Sequence, residues 1–256
     1  MNAMFKEIRH GDIEKIRMRI AKNLAVVNEV YTGTKPKKDI GQSPLQVAIK
    51  CGQFEIIDLL IENGADVDFM ENPANKPEDT SASYFICMSV LHDAIIGAFG
   101  ALPYGQFERA EKYVRVIETL LENGADPGKE TTPHPISGNT ALPFDTVIMQ
   151  ADSVLSRYWE SNYEPDIKKY DAAKKHLFEI LNLLVKYGAD FDYWADNSKC
   201  GDGTYRTVLI DDFVPKEDKP YEIEYRGKII KGIRKGDVDH HKGIRMALQE
   251  YIKLNK

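Results

Sequence analysis

The chain is predicted to be all-α, a solenoid of about five helix-turn-helix units, and three observations predict it. The tetrapeptide Asn63-Gly-Ala-Asp returns at Asn123 to Asp126 and, as Tyr-Gly-Ala-Asp, at Tyr187 to Asp190, each time behind an apolar stretch. A Ser or Thr two residues before a Leu opens a segment at Ser43, Ser89, Thr140 and Thr207. In the template segment between these motifs, Phe54, Ile57, Leu60 and Ile61 recur at helical spacing. Two short helices cannot bury their apolar stripes alone, so such units must stack.

The template is Gly41 to Phe69. Ser43 is placed to cap a first helix, Pro44 to occupy its first position, and Gln46 to complete a capping box. Leu45, Val47, Ala48 and Ile49 give about two apolar turns, which Gly52 ends in a left-handed turn. The second helix, from Phe54, carries Glu55, Asp58 and Glu62 between its apolar residues and stops at Asn63-Gly64. In these opening and closing residues the chain resembles the ankyrin repeat family, whose first helix opens T-P-L-H-x-A and whose second ends near G-A-D. The expectation is one ankyrin-repeat domain over 1–256, with approximate units 1–40, 41–82, 83–135, 136–198 and 199–256.

Met4 to Ile20 aligns with the template as a terminal unit, with Lys6, Glu7, Arg9 and His10 where the next unit is apolar or small. A stack needs such a wet end. In the third unit the stretch between helices is 14 residues longer than in the template, and Gly97, Gly100, Pro103 and Gly105 suggest an irregular insertion. In the fourth it is 27 residues longer but keeps helical spacing through Ile148, Ala151, Leu155 and Tyr158, then Tyr170, Ala173, Leu177, Ile180 and Leu184. That spacing predicts two lengthened helices turning near Asn162 to Pro165 and projecting roughly 20 Å beyond their neighbours. The fifth unit opens at Thr207. Tyr221, Ile223 and Tyr225 then alternate with charge and, through Ile233, read as a two-stranded ribbon. Ile244, Ala247, Leu248, Tyr251 and Ile252 form one face of a closing helix, with His240 and His241 at a solvated start.

A net charge of -6 argues against general binding to nucleic acid or anionic membrane, both of which favour a basic face. The charged start has no apolar signal core, and the longest apolar run, Ala94 to Leu102, is too short to span a bilayer. Cys51, Cys87 and Cys200 form no C-x-x-C pair and read as reduced thiols of a cytoplasmic protein. No catalytic or metal-binding motif appears, and neither a cofactor nor a metal is expected. His92, at the family's T-P-L-H histidine, should satisfy turn backbone groups. The most suggestive acidic set is Asp93, Asp145, Asp211 and Asp212, all in first helices.

The resemblance implies a non-enzymatic scaffold, monomeric, binding a protein partner through the concave face of loop tips and first helices. The family's variable positions correspond to Asp39, Ile40, Gln42, Lys50 and Cys51, then Ile136, Ser137 and Asn139. Tyr193 and Trp194, just after the third corner, are the aromatic candidates, since Tyr and Trp dominate interface energetics. Two alternatives stand beside this: an inhibitor or immunity-type module using its acidic groove on a basic toxin or nuclease, and an enzyme whose scattered Asp and His residues converge.

Overall fold

The computed structural model describes residues 3–33, 36, 39–71, 87–133, 138, 140–159, 166–191 and 241–255, and the backbone of 219–225 and 228–234. The template forms the expected helix pair, with the expected cap at its start and glycine at the end of its first helix. Ser43 Oγ accepts the Gln46 N–H at 3.2 Å, Pro44 opens helix α3 (Pro44–Cys51), and Gly52 ends it at φ +67°. Helix α4 (Phe54–Glu62) returns beside it. Ile49, Ile57 and Leu60 are fully buried between the two, each worth about 2 kcal/mol of apolar burial.

The same pairing recurs among the described residues. It is seen in α1 (Ala3–His10) with α2 (Ile13–Lys22), α5 (Val90–Ala101) with α6 (Phe107–Glu122), and α7 (Pro143–Trp159) with α8 (Ile167–Lys186). The first helices pack in a row, α1 on α3, α3 on α5 and α5 on α7, and the second helices in another, α2 on α4, α4 on α6 and α6 on α8. One continuous core runs from Phe5 and Ile8 to Ile244 and Leu248 on the closing helix α9 (Lys242–Asn255). Helix α9 packs on α7 and, less, on α8. Before it, strands β1 (Lys219–Tyr225) and β2 (Lys228–Arg234) pair antiparallel, from Lys219 with Arg234 to Tyr225 with Lys228.

The corners are joined directly. Asn28, after the first pair, donates to Gly64 O at 2.9 Å and accepts the Asp66 N–H at 2.7 Å. Asp68 Oδ1 then accepts the Asp126 N–H at 3.1 Å, while Lys129 Nζ donates to Asp68 O at 2.7 Å. At the third corner the Tyr187 hydroxyl lies 3.3 Å from Glu122 Oε1. In the terminal pair Arg9 is paired to Asp39 and Arg19 to Glu7.

Three expectations need correction. The third-unit insertion is largely helical: α5 runs through Gly97 and Gly100 to Ala101, a 3-10 turn follows at Leu102–Tyr104, and α6 starts at Phe107. Gly97 is a packing residue and not a breaker, because a Cβ there would lie 2.4 Å from the Tyr113 ring. Second, α7 and α8 are lengthened, to 17 and 20 residues, but do not stand clear of their neighbours. The Tyr158 hydroxyl donates to Leu102 O at 2.6 Å on one side, and the Tyr170 hydroxyl to Gly243 O at 2.9 Å on the other. The lengthened α5 and the closing α9 thus support the hairpin, and Trp159 packs on Tyr170 with ring centroids 5.4 Å apart. Third, His241 is not simply solvated at the start of α9: its Nδ1 is 2.5 Å from Asp152 Oδ2 on α7.

Candidate functional site

The loop side of the stack is built from connections that close at their feet. Residues 31–42 close through Tyr31 N–H to Gln42 O and Gly41 N–H to Tyr31 O, both 2.9 Å. The next connection closes where Val90 N–H meets Phe69 O at 3.1 Å, with Met70 bridged to Ser89. The third closes by Thr131 N–H to Ala141 O at 2.9 Å. The last two are also tied to each other, since Thr132 N–H donates to Cys87 O and Cys87 N–H to Thr132 Oγ at 2.8 Å. Backbone polar groups that could not be left unpaired beside the core are satisfied by this ladder.

Most candidate residues of the second unit turn inward. Asp39 is 1% exposed, Ile40 8% and Gln42 4%, so these three offer almost no surface, a correction to their expected place on an open face. Asp39 is held by Arg9, whose Nε donates at 2.8 Å. Gln42 Nε2 donates to Glu71 Oε1 at 2.6 Å. Gln46 does not complete the capping box: its side chain reaches the next unit, donating to Met88 O at 3.0 Å and to Asp93 Oδ2 at 2.9 Å. Lys50 remains accessible, its side chain 36% exposed, with Nζ 2.8 Å from Glu71 Oε1 and 3.3 Å from Asp93 Oδ2. Cys51, half-buried, accepts from Arg9 Nη1 at 3.8 Å. Ile136, Ser137, Asn139, Tyr193 and Trp194 lie outside the described residues, as do His240, the turn at Asn162 to Pro165 and the segment opening at Thr207 with Asp211 and Asp212.

The acidic set has separate employments. Burial of Asp93 pushes its carboxyl up to about 7, against the pull of the Lys50 ammonium, and Glu71 adds to the rise. Asp145 Oδ2 accepts the Leu142 N–H at 2.8 Å and caps its own helix. His92 is fully buried, its Nδ1 2.7 Å from Ser89 Oγ and its Nε2 3.2 Å from Ala141 O. A carbonyl accepts only, so Nε2 carries the hydrogen and Nδ1 accepts from Ser89. Burial holds this imidazole down at about 4, neutral at physiological pH. It thus satisfies backbone and hydroxyl groups of two successive units. Among the described residues no group of three or more His, Cys, Asp or Glu is placed to hold a metal, and no helix is long and apolar enough to cross a membrane.

Sequence reasoning missed Glu71, Thr131, Thr132 and the Asp152–His241 pair. Except for Thr131, which bonds Ala141 within the same connection, their partners are far away in the chain, and only the inward placement of a Glu at a loop foot could have hinted at the first. Asp152 also accepts from Ser156 Oγ at 2.8 Å; the serine is bonded to the carboxylate and not to the imidazole, unlike an activated nucleophile.

Paired helices stacked in two rows, with closed connections aligned along one side, define a repeat protein of the helix-turn-helix class. The ankyrin repeat family model matches residues 41–69. The match falls on the template unit, so the resemblance carried by its capping and G-A-D residues is that of an ankyrin repeat. No curated protein matches the chain.

Proposed function

We propose that the protein is a non-enzymatic scaffold that binds a protein partner, and that its whole length forms one ankyrin-type array of about five units. The observation that carries this reading is the ankyrin match at 41–69 set in a row of helix pairs bonded corner to corner. A stack so tied presents its connections at fixed spacing, which lowers the ordering cost of recognition. Lys50 is the accessible candidate of the second unit, and Ile136, Ser137, Asn139, Tyr193 and Trp194 are proposed to contact the same partner. Asp39, Ile40 and Gln42 act beneath this surface, holding the loop feet in place. The reading implies a cytoplasmic monomer.

The test is affinity capture from the native host with the unaltered chain, Lys50→Glu and Trp194→Ala, each checked for helix content by circular dichroism. A partner retained by the unaltered chain, lost at least tenfold with either folded variant, supports the assignment. Equal recovery with all three overturns it.

A further inference from the structure

The second and third helix pairs differ in length at the end opposite their connections. Counted back from the Asn-Gly corners, Phe54 at the start of α4 corresponds to Val114, and α6 begins seven residues earlier, at Phe107. That extension is about 10 Å of helix. Toward the fourth pair α6 packs on the still longer α8. Toward the second pair the extension leaves a step, and the step holds an open cavity of about 410 Å³ whose lining includes Phe54, Phe107, Glu108, Arg109 and Lys112. Ligand sites commonly run from about 300 to 1,000 Å³.

The two cations of this cavity are not equivalent. Lys112 is matched, its Nζ 3.2 Å from Glu108 Oε1 and 5.8 Å from the Phe54 ring centroid. Arg109 has no carboxylate within ion-pair distance among the described residues. It is half-buried and held in place: Nη2 donates to Cys51 O at 3.4 Å, and Cζ lies 5.8 Å from the Tyr113 ring centroid. Gly52 gives it a seat, because a Cβ there would collide with Nη2. A guanidinium carries five N–H donors in a fork that fits a carboxylate, so a positioned Arg109 keeps most of its donors for a ligand. Phe54 and Phe107, both half-buried, supply apolar walls beside it.

We propose that this step is a second docking site, apart from the loop-side surface, for an acidic segment of a partner protein that seats a carboxylate on Arg109 and an apolar side chain against Phe54 and Phe107. Charge complementarity selects the occupant: an unmatched, pre-placed guanidinium beside apolar walls favours an acid next to an apolar group and repels a basic segment. Holding the guanidinium beforehand lowers the ordering cost of binding. Tyr104, 80% exposed, adjoins the lining Gly105 and widens the contact beyond the cavity, which suits a chain segment better than a small molecule.

The experiment is an amide-shift NMR titration of the intact chain with the capped dipeptide acetyl-Phe-Glu-amide. Saturable shifts should fall at residues 52–54 and 105–112, and binding should weaken about tenfold or more with acetyl-Phe-Gln-amide, with acetyl-Ala-Glu-amide and with the Arg109→Gln variant, in line with loss of a charged hydrogen bond or of a buried ring. No saturable shift at peptide concentrations on the order of 10 mM overturns the proposal, as do shifts elsewhere or binding indifferent to the carboxylate. The control peptides need no variant, so the test stands even if Arg109→Gln does not fold. Equal binding of 3-phenylpropionate would make this a small-carboxylate site, and self-association lost with Arg109→Gln would make a second copy the occupant; either result overturns the assignment to a partner protein. Neither Lys50 nor a connection residue is altered, so failure here leaves the loop-side reading untouched, and the reverse holds.

Discussion

Single residues in this protein often serve two units at once. His92 bonds the hydroxyl that opens its own helix and a carbonyl that precedes the next unit. Tyr113 lies over Gly97 and donates to Ile49 O in the last turn of α3, where helix carbonyls lack intrahelical partners. A Gly97→Ala substitution would push a methyl into the Tyr113 ring. It should destabilise the fold by about 1–3 kcal/mol, the usual cost of overpacking. Chemical denaturation would show it, and a double-mutant cycle with Tyr113→Ala should show strong coupling, because the second change removes the obstacle. Additive effects would mean the ring relaxes away and that Gly97 is a conformational glycine after all.

Elements lengthen along the stack, from 8 and 9 residues in α3 and α4 to 17 and 20 in α7 and α8. Long helices are stable here because each extension is matched by a neighbour: α5 and its 3-10 turn meet Tyr158, and α9 meets Tyr170. The corners form a second line of attachment. Asn28 contributes two bonds across the first joint, to Gly64 O and from Asp66 N–H. Asn28→Ala should cost about 1 kcal/mol in total, since net gains are small at an exposed site. Its signature would be faster amide exchange at Asp66 with α7 and α8 unaffected, whereas unchanged exchange would remove the corner ladder from the account.

Among the described residues each helix pair packs on the next. Helix α9 packs on α7 and, less, on α8, with Ile244, Ala247, Leu248 and Tyr251 buried and the Tyr251 hydroxyl donating to Asn182 Oδ1 on α8 at 2.9 Å. Removing residues 242–255 should expose that face and loosen α7 and α8 first, while α1 to α4 keep their amide protection, as nearest-neighbour stability requires. Hydrogen exchange followed by mass spectrometry would resolve the order. Uniform loss of protection would instead mean a single cooperative unit with no gradient along the stack.

The helix pairs, their order and their corner motifs were legible without coordinates, because caps, glycine stops and apolar spacing act within a few residues of chain. Ser43, Pro44 and Gly52 are placed where local chemistry puts them. The freedom of the loop-side polar groups was not legible. Asp39 is bonded 30 residues away, Gln42 29 and Gln46 47, and each was read as locally committed or partner-facing. Only stacking decides that Lys50 stays accessible while its neighbours turn inward, since which distant donor meets which buried acceptor depends on how units register, and no short-range pattern encodes that.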